Sequence, residues 1–180
     1  QSAVYSTWKD NINSTVGMRL MSYYRWSWME KGQTAQGHNS AFVDDDGNAY
    51  VIYHTRTDDG TEGHYVRVHQ LFTNKNGYLL AAPFNYNTTD DTNVDITDVS
   101  KIAGEYEIIL QQNTDSSKLE TNKGKKIVLT EDFKVKEYGM TSSCGEWSVE
   151  EGTDGIINIS ISMDGQNYTG VMLNQTMEGT

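Results

Sequence analysis

Between Ala41 and Ala82 short apolar runs alternate with clusters of turn-forming residues, and this alternation restricts the fold more than any other feature of the chain. Ala41-Phe42-Val43 reads as a strand, Asp44-Asp45-Asp46-Gly47-Asn48 as a turn, and Ala49-Tyr50-Val51-Ile52-Tyr53 as the return strand. Thr57 to Gly63 is a second turn by composition. Tyr65 to Phe72 then alternates apolar and polar residues, and Asn74-Lys75-Asn76-Gly77 leads into Tyr78-Leu79-Leu80-Ala81-Ala82. Strand, turn and strand repeated in this way predict an antiparallel meander, and four such strands are the size of one propeller blade.

The flanking sequence supports an all-β chain. Residues Gln1 to Gly17 read as a loop, and Met18 to Trp28, rich in aromatic residues of high strand propensity, as a strand. Met29 to Gln36 breaks that strand with polar residues and Gly32. Pro83 to Asp95, rich in Asn, Asp and Thr and holding the only proline, is the candidate linker. Beyond it come Gly104–Leu110, Lys125–Leu129, Phe133–Val135, Gly145–Val149, Ile156–Ile161 and Tyr168–Leu173, all short strand candidates. Asp154-Gly155 and Asp164-Gly165 are hairpin-turn signals between them. This pattern predicts a small antiparallel barrel or sandwich. Ile96 to Ala103 reads as a short helix capped by Asp95 or Thr97. With 180 residues, 16 Gly and 1 Pro, the chain has room for one domain or two small ones.

A formal charge of −11 argues against nucleic acid or an anionic membrane as partner, since both need clustered Lys and Arg. A neutral ligand or a cation suits it better. No apolar run approaches the roughly 20 residues that span a bilayer, and no basic-then-apolar signal peptide opens the sequence. Cys144, the single cysteine, has no partner for an internal disulfide or a zinc site. The first residue is Gln1, as in a processed chain, a piece of something longer, or an artificial start.

All four histidines fall between His38 and His69. His38 with Asn39 and Ser40 reads as a ligand set for a metal or a sugar, because imidazole and amide groups are compact, orientable donors and acceptors. A lone histidine at a strand start is more often structural than functional, here in a polar hairpin with solvated ends. Asp44, Asp45 and Asp46 lack the alternate-residue spacing of a calcium-binding EF-hand loop and suit a solvated turn. His54, His64 and His69 lack the spacing of zinc motifs. There is no nucleophile elbow, phosphate-binding loop or dinucleotide fingerprint. The Asn-x-Ser/Thr tripeptides at Asn13, Asn87, Asn158, Asn167 and Asn174 carry little information in a chain so rich in Asn and Thr.

Gly37-His38-Asn39-Ser40, Tyr53-His54-Thr55-Arg56, Val66-Arg67-Val68-His69-Gln70 and Asn76-Gly77-Tyr78-Leu79-Leu80-Ala81-Ala82-Pro83, in this order, resemble bacterial arabinanases of glycoside hydrolase family 43. Met18 to Trp26 is similar to the strand preceding that family's Gly-His-Asn-Ser motif. Gly104 to Ile108 and Asp164 to Val171 are similar to the small β-barrel domain that follows the catalytic propeller in extracellular members. The resemblance implies the last blade or blades of a five-bladed β-propeller over residues 1–86, a linker over 87–102 and a C-terminal β-barrel over 103–180. It also implies secretion from a bacterium. The family continues beyond the Tyr-x-Gly-Val segment with further aromatic strands, so the barrel is expected to be incomplete at Thr180.

The family's reaction is inverting hydrolysis of α-1,5-arabinan by two carboxylates, one activating water and one protonating the leaving oxygen, with a third tuning the acid. By resemblance these lie upstream of the matched region, and no catalytic residue is expected in this chain. The counterpart of His38 helps hold a hydrated calcium ion in the central channel, Asn39 and Ser40 would line the channel floor, and Arg56 and Arg67 are candidates to bond sugar hydroxyls. Two readings follow. Either the chain is part of an arabinan-degrading hydrolase completed by an N-terminal propeller chain, or it is a non-catalytic carbohydrate-binding or assembly module that stacks sugars on Tyr and Trp faces.

Overall fold

The computed structural model describes residues 19–111, 119–152 and 154–177. Over these the chain is all-β apart from one single-turn 3₁₀ helix, and it forms two six-stranded sheets. In the first sheet, β1 (Tyr24–Arg25), β2 (Gln33–Val43), β3 (Ala49–Thr57), β4 (Tyr65–Thr73) and β5 (Leu79–Ala81) lie side by side in chain order. All four neighbouring pairs are antiparallel, which is the expected meander.

Its two tight turns share one chemistry. Asp44 Oδ1 accepts from the amides of Asp46 (3.1 Å) and Asn48 (2.8 Å), as Asn74 Oδ1 does from Asn76 (3.1 Å) and Tyr78 (3.0 Å). In each, a glycine three residues on takes the left-handed backbone that other residues avoid, φ 87° at Gly47 and 77° at Gly77. Buried in this sheet are Tyr24, Tyr50, Val51 and Tyr53 with the polar Thr34, Thr55 and His69. His69 is only 2% exposed. Its Nδ1 donates to the Ala82 carbonyl (2.7 Å), which leaves Nε2 to accept from the Tyr53 hydroxyl (3.0 Å). This imidazole ties β3, β4 and the residue after β5 together as part of the core.

The second sheet contains β6 (Gly104–Ile108), β8 (Lys125–Leu129), β9 (Lys134–Glu137), β10 (Ser143–Glu151), β11 (Ile157–Met163) and β12 (Gln166–Val171), and β7 (Asn122–Lys123) joins the edge of the first. Its order is β12-β11-β10-β9-β8-β6, and β6 and β12 are unpaired with each other among the described residues, leaving a seam. Ile102, Ile127, Leu129, Val135, Trp147 and Met163 fill its core. Asp164 (φ 53°) and Gly165 (φ 74°) both adopt left-handed backbone in a two-residue turn between Met163 and Gln166, as the Asp-Gly signal predicts. Asp154-Gly155 instead lies in a longer connection between Glu151 and Ile157.

Three expectations need correction. Of Met18 to Trp28, only Tyr24–Arg25 is strand, and Met18 lies outside the described residues. β1 touches β2 at a single pair, Tyr24 with Gln33, and the amide of Met29 turns back onto the Trp26 carbonyl (3.1 Å). The helix expected over 96–103 is a single 3₁₀ turn, Val99–Lys101, capped by Asp98. Asp95 Oδ1 binds the amide and hydroxyl of Thr97, and Asp98 Oδ1 those of Ser100, local bonds that compete with helix. β2 also begins at Gln33, well before the expected Ala41.

Contacts between the sheets include one strand pairing and one docked turn. β1 and β7 pair in parallel, Tyr24 with Asn122 and Arg25 with Lys123. The Asn74 turn docks on the second sheet, with Asn74 Nδ2 donating to Thr169 Oγ1 (3.1 Å) and the Lys75 amide to Asn158 Oδ1 (2.8 Å).

Candidate functional site

The local geometry of β2 sets the site. Pairing with β3 is regular from Val43 opposite Ala49 back to Ser40 opposite Ile52, then slips by one residue on each side of Gly37. These are two β-bulges, and each contains a non-glycine residue with left-handed backbone, Ala35 (φ 51°) and His38 (φ 43°). A bulge leaves one residue unpaired and re-aims its side chain. Holding a residue with a Cβ at positive φ costs free energy, so surrounding structure must enforce it.

The result is a cluster of imidazoles. His38 Nδ1 stands 3.1 Å from His54 Nδ1, with ring centroids 4.8 Å apart. His54 meets His64 edge to face at 4.7 Å. Arg56 Nε donates to His64 Nε2 (3.1 Å), and its Nη1 pairs with Glu62 (2.8 Å). Burial holds His54 below the usual imidazole pKa, and His64, His38 and Arg56 add repulsion against a further positive charge. His54 therefore favours its neutral ring, which can accept a hydrogen bond.

The structure brings together some of the residues singled out from sequence and separates others. His38 and Arg56 belong to one cluster, linked through His54 and His64. Asn39 instead lines a separate cavity of about 340 Å³ with Gln36, Gly37, Val51 and Tyr53. Ser40 is exposed on β2 opposite Ile52. Arg67 lies on β4 opposite Tyr53, which places it on the other face of the sheet from His54. In the sequence His54 stands out in the Tyr53-His54-Thr55-Arg56 motif, whereas His64 enters only as a zinc ligand that lacks the spacing. The hairpin register held the missing signal, since extending it unshifted from Val43–Ala49 sets His38 across from His54.

For calcium, the described residues build no cage: none of their His, Cys, Asp and Glu side chains gather in a group of three or more able to hold a metal ion. A hard cation takes six to eight oxygen ligands. His38 is exposed on β2 and offers a ring nitrogen, not an oxygen.

Comparison with known proteins adds a second line. Residues 83–180 match the family described as GH43_C, C-terminal lipocalin-like domain. The chain is 45% identical over 74 residues to extracellular endo-alpha-(1->5)-L-arabinanase 2 of Bacillus subtilis, covering 39% of this chain and 16% of that protein. It is 38% identical over 79 residues to the extracellular endo-alpha-(1->5)-L-arabinanase of Thermotoga petrophila, covering 43% and 16%. Among solved structures, the family 43 glycoside hydrolase YxiA of Bacillus licheniformis superposes with a TM-score of 0.69 at 32% identity, over 87% of this chain and 32% of that one. The endo-1,5-alpha-L-arabinanase of Thermotoga petrophila superposes with a TM-score of 0.65 at 26% identity, over 88% and 33%. The chain thus spans 16% of each curated relative and about a third of each solved chain, in their C-terminal part.

Proposed function

Because this chain belongs to the GH43 C-terminal lipocalin-like domain family and matches the C-terminal part of family 43 arabinanases, we propose that it is the C-terminal part of a secreted bacterial hydrolase acting on α-1,5-linked arabinan. The observation that carries this reading is the double-bulged β2, which sets His38 at positive φ beside His54 in a chain that is similar to arabinanases over both of its sheets.

In this reading the chain supplies no catalytic acid or base. Inverting hydrolysis requires two carboxylates about 6.5–9.5 Å apart, one for water and one for the leaving oxygen. The carboxylate ion-paired to the histidine cluster is Glu62, which is engaged by Arg56. The catalytic pair is assigned to an N-terminal propeller portion, in the same polypeptide or a partner chain. Beyond Gln33, β2 has no strand on its outer side among the described residues and exposes Phe42 and Val43, which supports a neighbouring sheet there.

His38 is assigned as one ligand of a calcium ion that, when bound, would steady negative charge on nearby carboxylates. His54 orients it: the 3.1 Å contact between the two Nδ1 atoms engages one ring nitrogen of His38 and leaves Nε2 out of that contact. Asn39 and Ser40 on the exposed end of β2 are assigned to the channel floor, and Arg56 to sugar hydroxyls. Arg67, on the opposite face, is assigned no contact to the same sugar.

The test is to incubate the full-length protein with linear α-1,5-arabinan and with xylan, and to follow released oligosaccharides by chromatography. Arabino-oligosaccharides released from arabinan alone are expected. Absence of any release from arabinan would overturn the reading.

A further inference from the structure

A cleft apart from the histidine cluster lies where the second sheet meets β7 of the first. At one end of the seam between β6 and β12, a cleft of about 830 Å³ opens between Ile108 at the end of β6, the β7–β8 segment and the β11–β12 turn. Its size lies within the range of small-molecule sites. Ile108, Met163 and the ring of Tyr168 give it an apolar wall, while Lys123, Asp164 and Gln166 present polar groups to the same space.

The side chains of Lys123, Asp164 and Gln166 are exposed and make no hydrogen bond or ion pair among the described residues. One is a cation, one an anion and one an amide, so together they donate, accept and do both with no net charge. The remaining charge in the cleft, Lys125, is already paired with Glu137. An anionic ligand would gain little from Lys123 with the Asp164 carboxylate in the same cleft, and the chain's charge of −11 opposes its approach. An apolar ligand would strip water from three unpartnered polar groups. A neutral polyol with one apolar face meets both walls, its C–H face on Tyr168 and its hydroxyls on Lys123, Asp164 and Gln166.

We propose that this cleft is a carbohydrate-binding site for a neutral oligosaccharide, separate from any catalytic groove. That the oligosaccharide is a segment of arabinan rests on the function proposed above. The cleft wall also reaches the first sheet. Asn122 Nδ2 donates to the Tyr23 carbonyl (2.9 Å), and Gln111 Oε1 accepts from the Ser22 amide (2.7 Å). A sugar bound here is held close to the sheet that carries His38.

The test is calorimetric titration of the full-length protein carrying His38→Ala, with arabinohexaose, xylohexaose and trigalacturonate as probes. Lys123→Gln and Asp164→Asn are the cleft variants. Both positions are exposed, and Asn tolerates the left-handed backbone at 164. The expected result is binding of arabinohexaose that survives His38→Ala and weakens tenfold or more in each cleft variant, with an unchanged melting temperature. Xylohexaose binding with the same dependence, and no arabinohexaose binding, would support the cleft while removing arabinan as its ligand. Binding equal in parent and cleft variants, tighter binding of trigalacturonate, or no binding of any probe would overturn the proposal.

Discussion

Asp59 illustrates how single polar residues fix the loops around the first sheet. Its carboxylate accepts from Lys31 Nζ (2.8 Å), the Thr61 amide (3.0 Å) and hydroxyl (2.8 Å), and the Thr57 hydroxyl (2.8 Å). The bond from Lys31, followed by those from Thr61 and Thr57, holds its pKa well below the usual carboxylate range. A depressed carboxylate contributes stability that is present above its unfolded pKa of about 3.9 and lost as pH falls through the folded value. Carbon-detected NMR should show Asp59 still ionised below pH 3, and a midpoint near 3.9 would contradict the network. His69 makes the complementary case inside the sheet. His69→Phe keeps an aromatic ring but takes away the donor to the Ala82 carbonyl and the acceptor of the Tyr53 hydroxyl, and should cost about 1–3 kcal/mol by urea denaturation. An unchanged midpoint would show that the bond is unimportant.

At the scale of elements, the bulges carry the design. In β10, pairing with β9 shifts between Ser143 and Gly145, and a Cβ on Gly145 would stand 1.9 Å from the Ser162 carbonyl oxygen of β11. Backbone cannot yield as a flexible side chain does. Gly145→Ala should destabilise by at least about 1–3 kcal/mol, the range for overpacked sites, and a wild-type melting temperature would contradict this contact. The same irregularities mark the limit of what the sequence discloses. Asp44 to Asn48 and Asn74 to Gly77 announce their turns because side chain and glycine act within five residues, and the meander follows from them. The bulges at Ala35 and His38 leave no such local trace, since each depends on pairing with β3 across the sheet. For that reason His38 and, through the hairpin register, His54 were legible, while the slip that brings Gly37 opposite His54 and the approach of His64 were not. The Asx turns of Asp95 and Asp98, which replace the expected helix, were written in the Asp-x-Thr and Asp-x-Ser spacing but compete with an equally local capping signal.

At the scale of the whole molecule, the two sheets are joined by polar contacts of high specificity. Asn158 is 4% exposed, and its side-chain oxygen receives the Lys75 amide, while Lys75 Nζ reaches Glu150 (2.6 Å). Residues after β12 return to the first sheet, where Gln175 both accepts from the Phe84 amide and donates to its carbonyl, each at 3.1 Å. Asn158→Ala should leave both sheets folded but accelerate hydrogen exchange at the Lys75 amide, and unchanged protection there would mean that the junction is held elsewhere. Such a junction keeps the His38 cluster and the seam cleft in one frame, as expected of a terminal domain that supports a neighbouring site. The most direct measurement of that account is the rate of arabinan hydrolysis by full-length protein with and without His38→Ala, in calcium and in chelator. The account predicts a loss of about ten- to a hundredfold that added calcium does not restore, the range for disturbed metal sites. An unchanged rate in the variant would contradict it.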